Sequence, residues 1–143
     1  MKYIVFIGLL MFSLNSYCEP PEILKKAMEA YLKNGKSAFI PEMIKGSTLE
    51  NEKSVLAQEN MIGQVEAYYG KPESWEVLAE CELTERFRST YYIVYYEKGP
   101  VFGYVDTYKK KNGKEIAAKF HFHTEAGQIL PYKPVTKKNI CGA

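Results

Sequence analysis

Three side chains carry whatever acid–base chemistry this sequence offers. The chain has two histidines, His121 and His123, and a single aspartate, Asp106. An imidazole titrates near neutrality and, beside a carboxylate, can serve as a general base. His121-x-His123 also puts two imidazoles on one side of a strand, which is half of a zinc site. A metal needs a third ligand, and local spacing supplies none, so no metal is assigned. An Asp106–Lys119 cross-strand pair is the ordinary structural alternative, contributing a few tenths of a kcal/mol. No Gly-rich phosphate loop and no Ser–His–Asp order stand out, so no cofactor is implied. His121, Asp106 and His123 therefore remain candidates, with no catalytic set assigned.

The elements that must hold these residues follow from one turn. Asn112-Gly113 is the strongest hairpin signal present, because a type I′ turn needs positive φ at both central positions. With those two as the loop, Lys111 faces Lys114 and the pairs run outward. Val105 then faces Phe120, and Gly103 faces Phe122. On the other side Phe102 faces His123, Tyr104 faces His121, and Asp106 faces Lys119. One face reads as core: Val101, Gly103, Val105, Ile116, Ala118, Phe120 and Phe122. The opposite face mixes Phe102, Tyr104, Asp106, Tyr108, Lys119, His121 and His123. Exposed aromatics beside polar groups have the composition that interfaces favour. Phe102, Tyr104, Tyr108, His121 and His123 are accordingly the expected binding or interface residues. A solvated sheet face is the plainer reading of the same pattern.

Ahead of this hairpin the period changes abruptly. Ile23, Leu24, Ala27, Met28, Tyr31 and Leu32 recur at helical spacing after Pro20-Pro21, and Asn34-Gly35 stops the helix. A short segment, 37–45, follows. Ser47-Thr48-Leu49-Glu50 reads as a capping box opening a helix with Val55, Leu56, Ile62, Val65 and Tyr69 on one stripe. Gly63 weakens that helix by about 1 kcal/mol relative to Ala. From Trp75 the pattern alternates: Trp75, Val77, Ala79, Cys81 and Leu83 on a dry face, Glu76, Glu80 and Glu82 on a wet one. Strands over 87–97, 101–110 and 115–124 follow. Helices first and an antiparallel meander second give an α+β fold, with helices packed on a four-stranded, or slightly larger, curved sheet. The expected core joins Phe120, Phe122, Val105, Trp75, Val77 and Leu83 to Leu24, Met28, Tyr31, Val55, Ile62 and Val65.

The N-terminus points to export. Lys2 precedes a short apolar run, 4–12, and a polar exit ending Ser16-Tyr17-Cys18. The run is too short for a spanning helix, which needs about 20 apolar residues. It has the form of a secretory signal peptide with small residues at −3 and −1. Residues 1–18 are thus expected to be cleaved, leaving Glu19 first and a soluble periplasmic or secreted protein with no membrane segment. Tyr17 is too bulky for the position before a lipidated cysteine. Residues 19–127 form one domain, and 128–143 a tail that either adds a short edge segment or moves freely. Net charge is +2 with dispersed basic residues, which gives no case for nucleic acid. Loss of Cys18 leaves Cys81 and Cys141, and an oxidising compartment permits one bridge between them; an inward strand cysteine such as Cys81 is more often a small core side chain.

The junction 69–76 (Tyr-Gly-Lys-Pro-Glu-Ser-Trp-Glu), the run 96–104 (Tyr-Glu-Lys-Gly-Pro-Val-Phe-Gly-Tyr) and Lys119-Phe120-His121-Phe122-His123-Thr124, in this order of elements, resemble small secreted bacterial members of the NTF2-like superfamily. The likeness covers most of the mature chain. It implies helices in the concave side of a curved sheet, around a cone-shaped cavity. Functions on this scaffold range from isomerases and dehydratases to carriers and assembly modules. A cystatin-like inhibitor is the nearest structural alternative, but its Gln-x-Val-x-Gly signature is missing. The expectation is a non-enzymatic exported module, binding a small apolar ligand in the cone or forming a homodimer through the outer sheet face. The alternative is a cavity enzyme of isomerase or hydrolase type using His121 and Asp106. His121 and Asp106 pointing inward would favour the enzyme, and outward the module.

Overall fold

The apolar spacing from Ile23 to Tyr31 becomes helix α1, Glu22–Asn34, in a computed structural model that describes residues 19–131. Residues 1–18, expected to be a signal peptide, and residues 132–143 of the expected tail, with Cys18 and Cys141, lie outside the described residues. Ile23, Leu24, Ala27, Met28 and Tyr31 are buried on one stripe, while Leu32, expected with them, is 40% exposed. Gly35 breaks the helix at φ +83, a left-handed conformation that glycine adopts without steric cost. Helix α2, Lys36–Ile44, follows at once and buries Phe39, Ile40, Met43 and Ile44.

The expected capping box is displaced. The Ser47 hydroxyl accepts from the Leu49 amide at 3.2 Å, and the Gly46 amide donates to Glu50 at 2.7 Å. The turn they close is a single 3₁₀ turn, Thr48–Asn51. Helix α3, Ser54–Tyr69, begins three residues later and ends at Gly70. Ile62 is its fully buried anchor, with Val55, Met61, Val65 and Tyr69 half-buried around it.

Four strands then form an antiparallel meander in the order β1-β2-β3-β4: Pro72–Thr84, Phe87–Tyr96, Gly99–Lys109 and Glu115–His123. The expected α+β layout is observed, with three helices followed by an open four-stranded sheet. Among the described residues, the segment after β4 adds no further strand. The three helices share one core with Tyr92, Tyr96, Val101, Val105, Phe120 and Phe122 of the sheet.

Strand β1 departs from strict alternation. It carries irregularities between Pro72 and Ser74, Val77 and Ala79, and Glu82 and Thr84. The middle one reverses the faces, as an unpaired extra residue must. Val77 pairs with Tyr92 of the main core, whereas Ala79 pairs with Tyr91 on the outer side. Cys81 therefore faces outward, not inward, and Glu80, read as wet, turns inward with its side chain only 3% exposed. Leu83, expected in the core, is 63% exposed.

The β3–β4 hairpin holds the expected pairs Val105–Phe120, Gly103–Phe122, Tyr104–His121, Phe102–His123 and Asp106–Lys119. It reaches them through two compensating offsets. The loop has three residues, with the Gly113 amide donating to the Lys110 carbonyl and the Lys110 amide to the Lys114 carbonyl. Gly113 sits at positive φ, +82, as in a type I turn followed by a left-handed glycine. A register shift between Asp106 and Thr107 then restores the distal pairing. Between the two offsets the faces differ from expectation: Ala117 is buried in place of Ala118, which is exposed.

Candidate binding cleft

The residues singled out for chemistry lie together on the outer face of the sheet, as the hairpin register requires. Their surroundings do not make a catalytic pair. Asp106 accepts a 2.6 Å hydrogen bond from Ser89 and stands opposite Lys119. Lys119 in turn lies 5.7 Å from the Tyr104 ring centre. His121 packs 6.3 Å from the same ring, centre to centre. Burial, then the neighbouring His123 and Lys119 charges, hold the His121 pKa below its ordinary value. The side chains that act on it are thus His123 and Lys119, not the carboxylate a general base would need. His123 accepts from the Glu125 amide at 2.9 Å through Nδ1, which engages that nitrogen in the turn after β4. Among the described residues no group of three or more His, Cys, Asp or Glu side chains could hold a metal ion.

The outer face is also occupied by the chain itself. A 3₁₀ turn, Ala126–Gln128, carries Ile129 and Leu130 back onto it. These two are buried with Ala79 and Cys81, against half-buried Leu78, Tyr91, Phe102 and Tyr104. Phe102 and Tyr104, expected at an interface, are half-buried against a cluster that includes the chain's own Ile129 and Leu130. Tyr108, third in that row, is separate from them: its ring lies under the Arg86 guanidinium at 4.8 Å. Cys81, beneath this segment, is disulfide-bonded; its partner lies outside the described residues, so the Cys81–Cys141 pairing is not placed.

The space between helices and sheet, where an apolar ligand was expected, is filled. Tyr31 and Tyr96 share a hydrogen bond at 2.8 Å, and Tyr31 tilts against Phe39 with 5.4 Å between ring centres. The Tyr92 ring lies over Gly103, where a Cβ would stand 2.3 Å from Cζ. What remains among Met28, Tyr31, Ile62, Tyr92, Tyr96 and Phe122 is about 20 Å³, room for about one water. Burial pushes all three tyrosine hydroxyls above their ordinary range, Tyr96 to about 12.

The large concavity lies elsewhere. A cleft of about 630 Å³ opens between the start of α1, the end of α2, the β1–β2 turn and the tip of the β3–β4 hairpin. That is the volume of a small-molecule site, but the walls are charged: six cationic side chains and five glutamates line it. The hairpin is tied to the helices by Lys110, whose ammonium donates to the Gly46 carbonyl at 3.0 Å. Gly46 follows α2, and a cation there complements the negative end of the helix.

The floor of the cleft is a polar network built across all four strands. Arg88 on β2 donates through Nε and Nη2 to both oxygens of Glu115 on β4, at 2.7 and 2.8 Å. Thr107, fully buried on the intervening β3, donates to the same carboxylate at 2.6 Å. Arg88 Nη1 reaches Glu80 at 3.4 Å, and Thr90 donates to that oxygen at 3.3 Å. Burial works to raise the Glu115 pKa, but hydrogen bonds from Arg88 and Thr107 outweigh it and hold the carboxyl below its ordinary value. A fixed bidentate pair of this kind orients both side chains.

Arg88, Glu115, Glu80 and Thr107 were absent from the expected site. One signal for them existed: Thr107 continues the inward row of Val101, Gly103 and Val105, and a polar side chain on an apolar face requires a partner. No protein-family model, no curated protein and no solved structure matches this chain. The geometry therefore carries the functional reading by itself.

Proposed function

We propose that the mature domain is an exported, non-catalytic module that binds a small, polar, charged ligand in the cleft between α1, α2 and the β3–β4 hairpin. The observation that carries this is the contrast of volumes: about 630 Å³ with charged walls at the open end, against about 20 Å³ in the apolar interior. Under this reading the fold is a reduced NTF2-like cone whose interior is packed with tyrosines and whose ligand site has moved to the mouth. Export rests on the signal-peptide pattern of residues 1–18. The reading keeps ligand binding from the sequence-based expectation and changes the ligand from apolar to polar. A rigid floor suits binding, since a preorganised site loses less entropy on association.

Thermal-shift screening of the exported protein against small-molecule classes tests this. Charged polar compounds should raise the melting temperature, and Glu115→Gln should weaken that response. Stabilisation by fatty acids or other apolar ligands alone would contradict the proposal.

A further inference from the structure

Within that cleft the charges are unequally matched. Lys26 pairs with Glu22 at 3.2 Å, Lys45 with Glu42 at 3.2 Å, and Arg88 with Glu115. Three cationic side chains remain: Arg86, Lys114, and Lys109, whose charge also helps to hold the Glu115 carboxyl below its ordinary value. Among the described residues no carboxylate lies within ion-pair distance of them.

Arg86 differs from a freely solvated surface arginine. Its Nε donates to the Lys109 carbonyl at 3.0 Å, and its Nη2 donates to the Tyr108 hydroxyl. Its guanidinium also lies over the Tyr108 ring at 4.8 Å. The backbone beneath is locked by the Lys109 amide donating to the Arg86 carbonyl at 2.8 Å. A guanidinium has five N–H donors. Two are engaged in holding the plane, and three remain for a ligand. Fixing the fork in advance removes most of the rotamer entropy that an arginine ordinarily loses on binding.

Resting on the proposed cleft, we infer that its ligand carries an oxyanion, a carboxylate or phosphate, and that Arg86 is the group that receives it, with Lys109 and Lys114 adding long-range attraction. Arginine's planar fork matches both oxyanions in two-point geometry. Glu82 and Glu85 line the same cleft and keep the field there from being uniformly positive.

The test is a two-dimensional amide NMR titration of the mature protein with succinate, inorganic phosphate and glucose, at low salt. Succinate, phosphate or both should shift the amides of Arg86, Lys109 and Lys114 saturably, and which of the two binds tighter distinguishes the sources. Arg86→Gln should weaken that binding at least tenfold while the amide spectrum stays that of the folded protein, and Arg86→Lys should restore only part of it. Anion binding at the cleft that is unchanged in Arg86→Gln would overturn the inference. So would a cleft that responds to glucose but to neither anion, although the cleft itself would then stand as a binding site. Silence of the cleft amides to all three probes would overturn both the inference and the proposed site.

Discussion

Arg88 on β2 grips Glu115 on β4 through two hydrogen bonds, at 2.7 and 2.8 Å, reaching across the whole width of β3. The pair is supported from below by Thr107 at 2.6 Å, so three strands share one polar contact at the floor of the cleft. Its removal should be felt as stability as well as binding. Arg88→Ala leaves a partly buried carboxylate without its main partner and is expected to cost about 3 kcal/mol. Glu115→Gln retains the shape and should cost about 1–2 kcal/mol. Urea titration measures both, and losses under 0.5 kcal/mol would show that the network contributes only geometry.

Tyr92 and Gly103 are directly paired, and the ring fills the space above the glycine. Gly103→Ala forces the ring or the strand to move and should destabilise by about 1–3 kcal/mol. In Tyr92→Leu the obstruction is gone. The double variant should therefore lose less than the sum of the single losses, a coupling that a double-mutant cycle reads directly. Strict additivity would place the ring elsewhere.

Stability should fall on acidification in two separate windows. His121 is held below its ordinary pKa, so just below the ordinary value near 6.5 the unfolded chain binds a proton that the folded chain does not. Stability then rises with pH through that window and is lost as pH drops. The carboxyl of Glu115 is likewise depressed, from 4.5, so its contribution is full above that value and disappears as pH falls through the lower folded one. Thermal melts from pH 8 to pH 3 should show both declines. His121→Gln should flatten the upper one alone, and an unchanged upper decline in that variant would assign it to another group.

Ile129 and Leu130 cover the aromatic outer face, so exposing that face should create the association that a bare sheet would show. The double substitution Ile129→Ser with Leu130→Ser removes the cover while leaving the chain length and Cys81 untouched. Increased binding of a hydrophobic dye and a faster sedimenting species are expected. A monomeric variant with no added dye binding would mean that Tyr91, Phe102 and Tyr104 are adequately solvated by themselves.

Much of this fold was legible because periodicity is a physical constraint. The stripe from Ile23 to Tyr31 and the alternation about Val105 and Phe120 have one low-energy arrangement each. The hairpin pairs were legible although the loop length was not, since a three-residue loop and a shift beside Asp106 offset one another. The candidate site was not legible, because it depends on irregularities. The shift at Val77–Ala79 sends Glu80 inward and Cys81 outward, and nothing in a period of two announces it. Arg88 and Glu115 are 27 residues apart and meet only because the three-residue loop sets Glu115 opposite Lys109. The residues with chemical character, His121, His123 and Asp106, lie instead on the outer face of the sheet, away from the Arg88–Glu115 network.

The most direct test of the account is where a ligand comes to rest. Crystals of residues 19–143 soaked with the charged compound that gives the largest thermal shift should show density between α1 and the β3–β4 hairpin, above the Arg88–Glu115 pair. Density in the space among Tyr31, Tyr92 and Tyr96, or on the outer face against Phe102 and Tyr104, would contradict it.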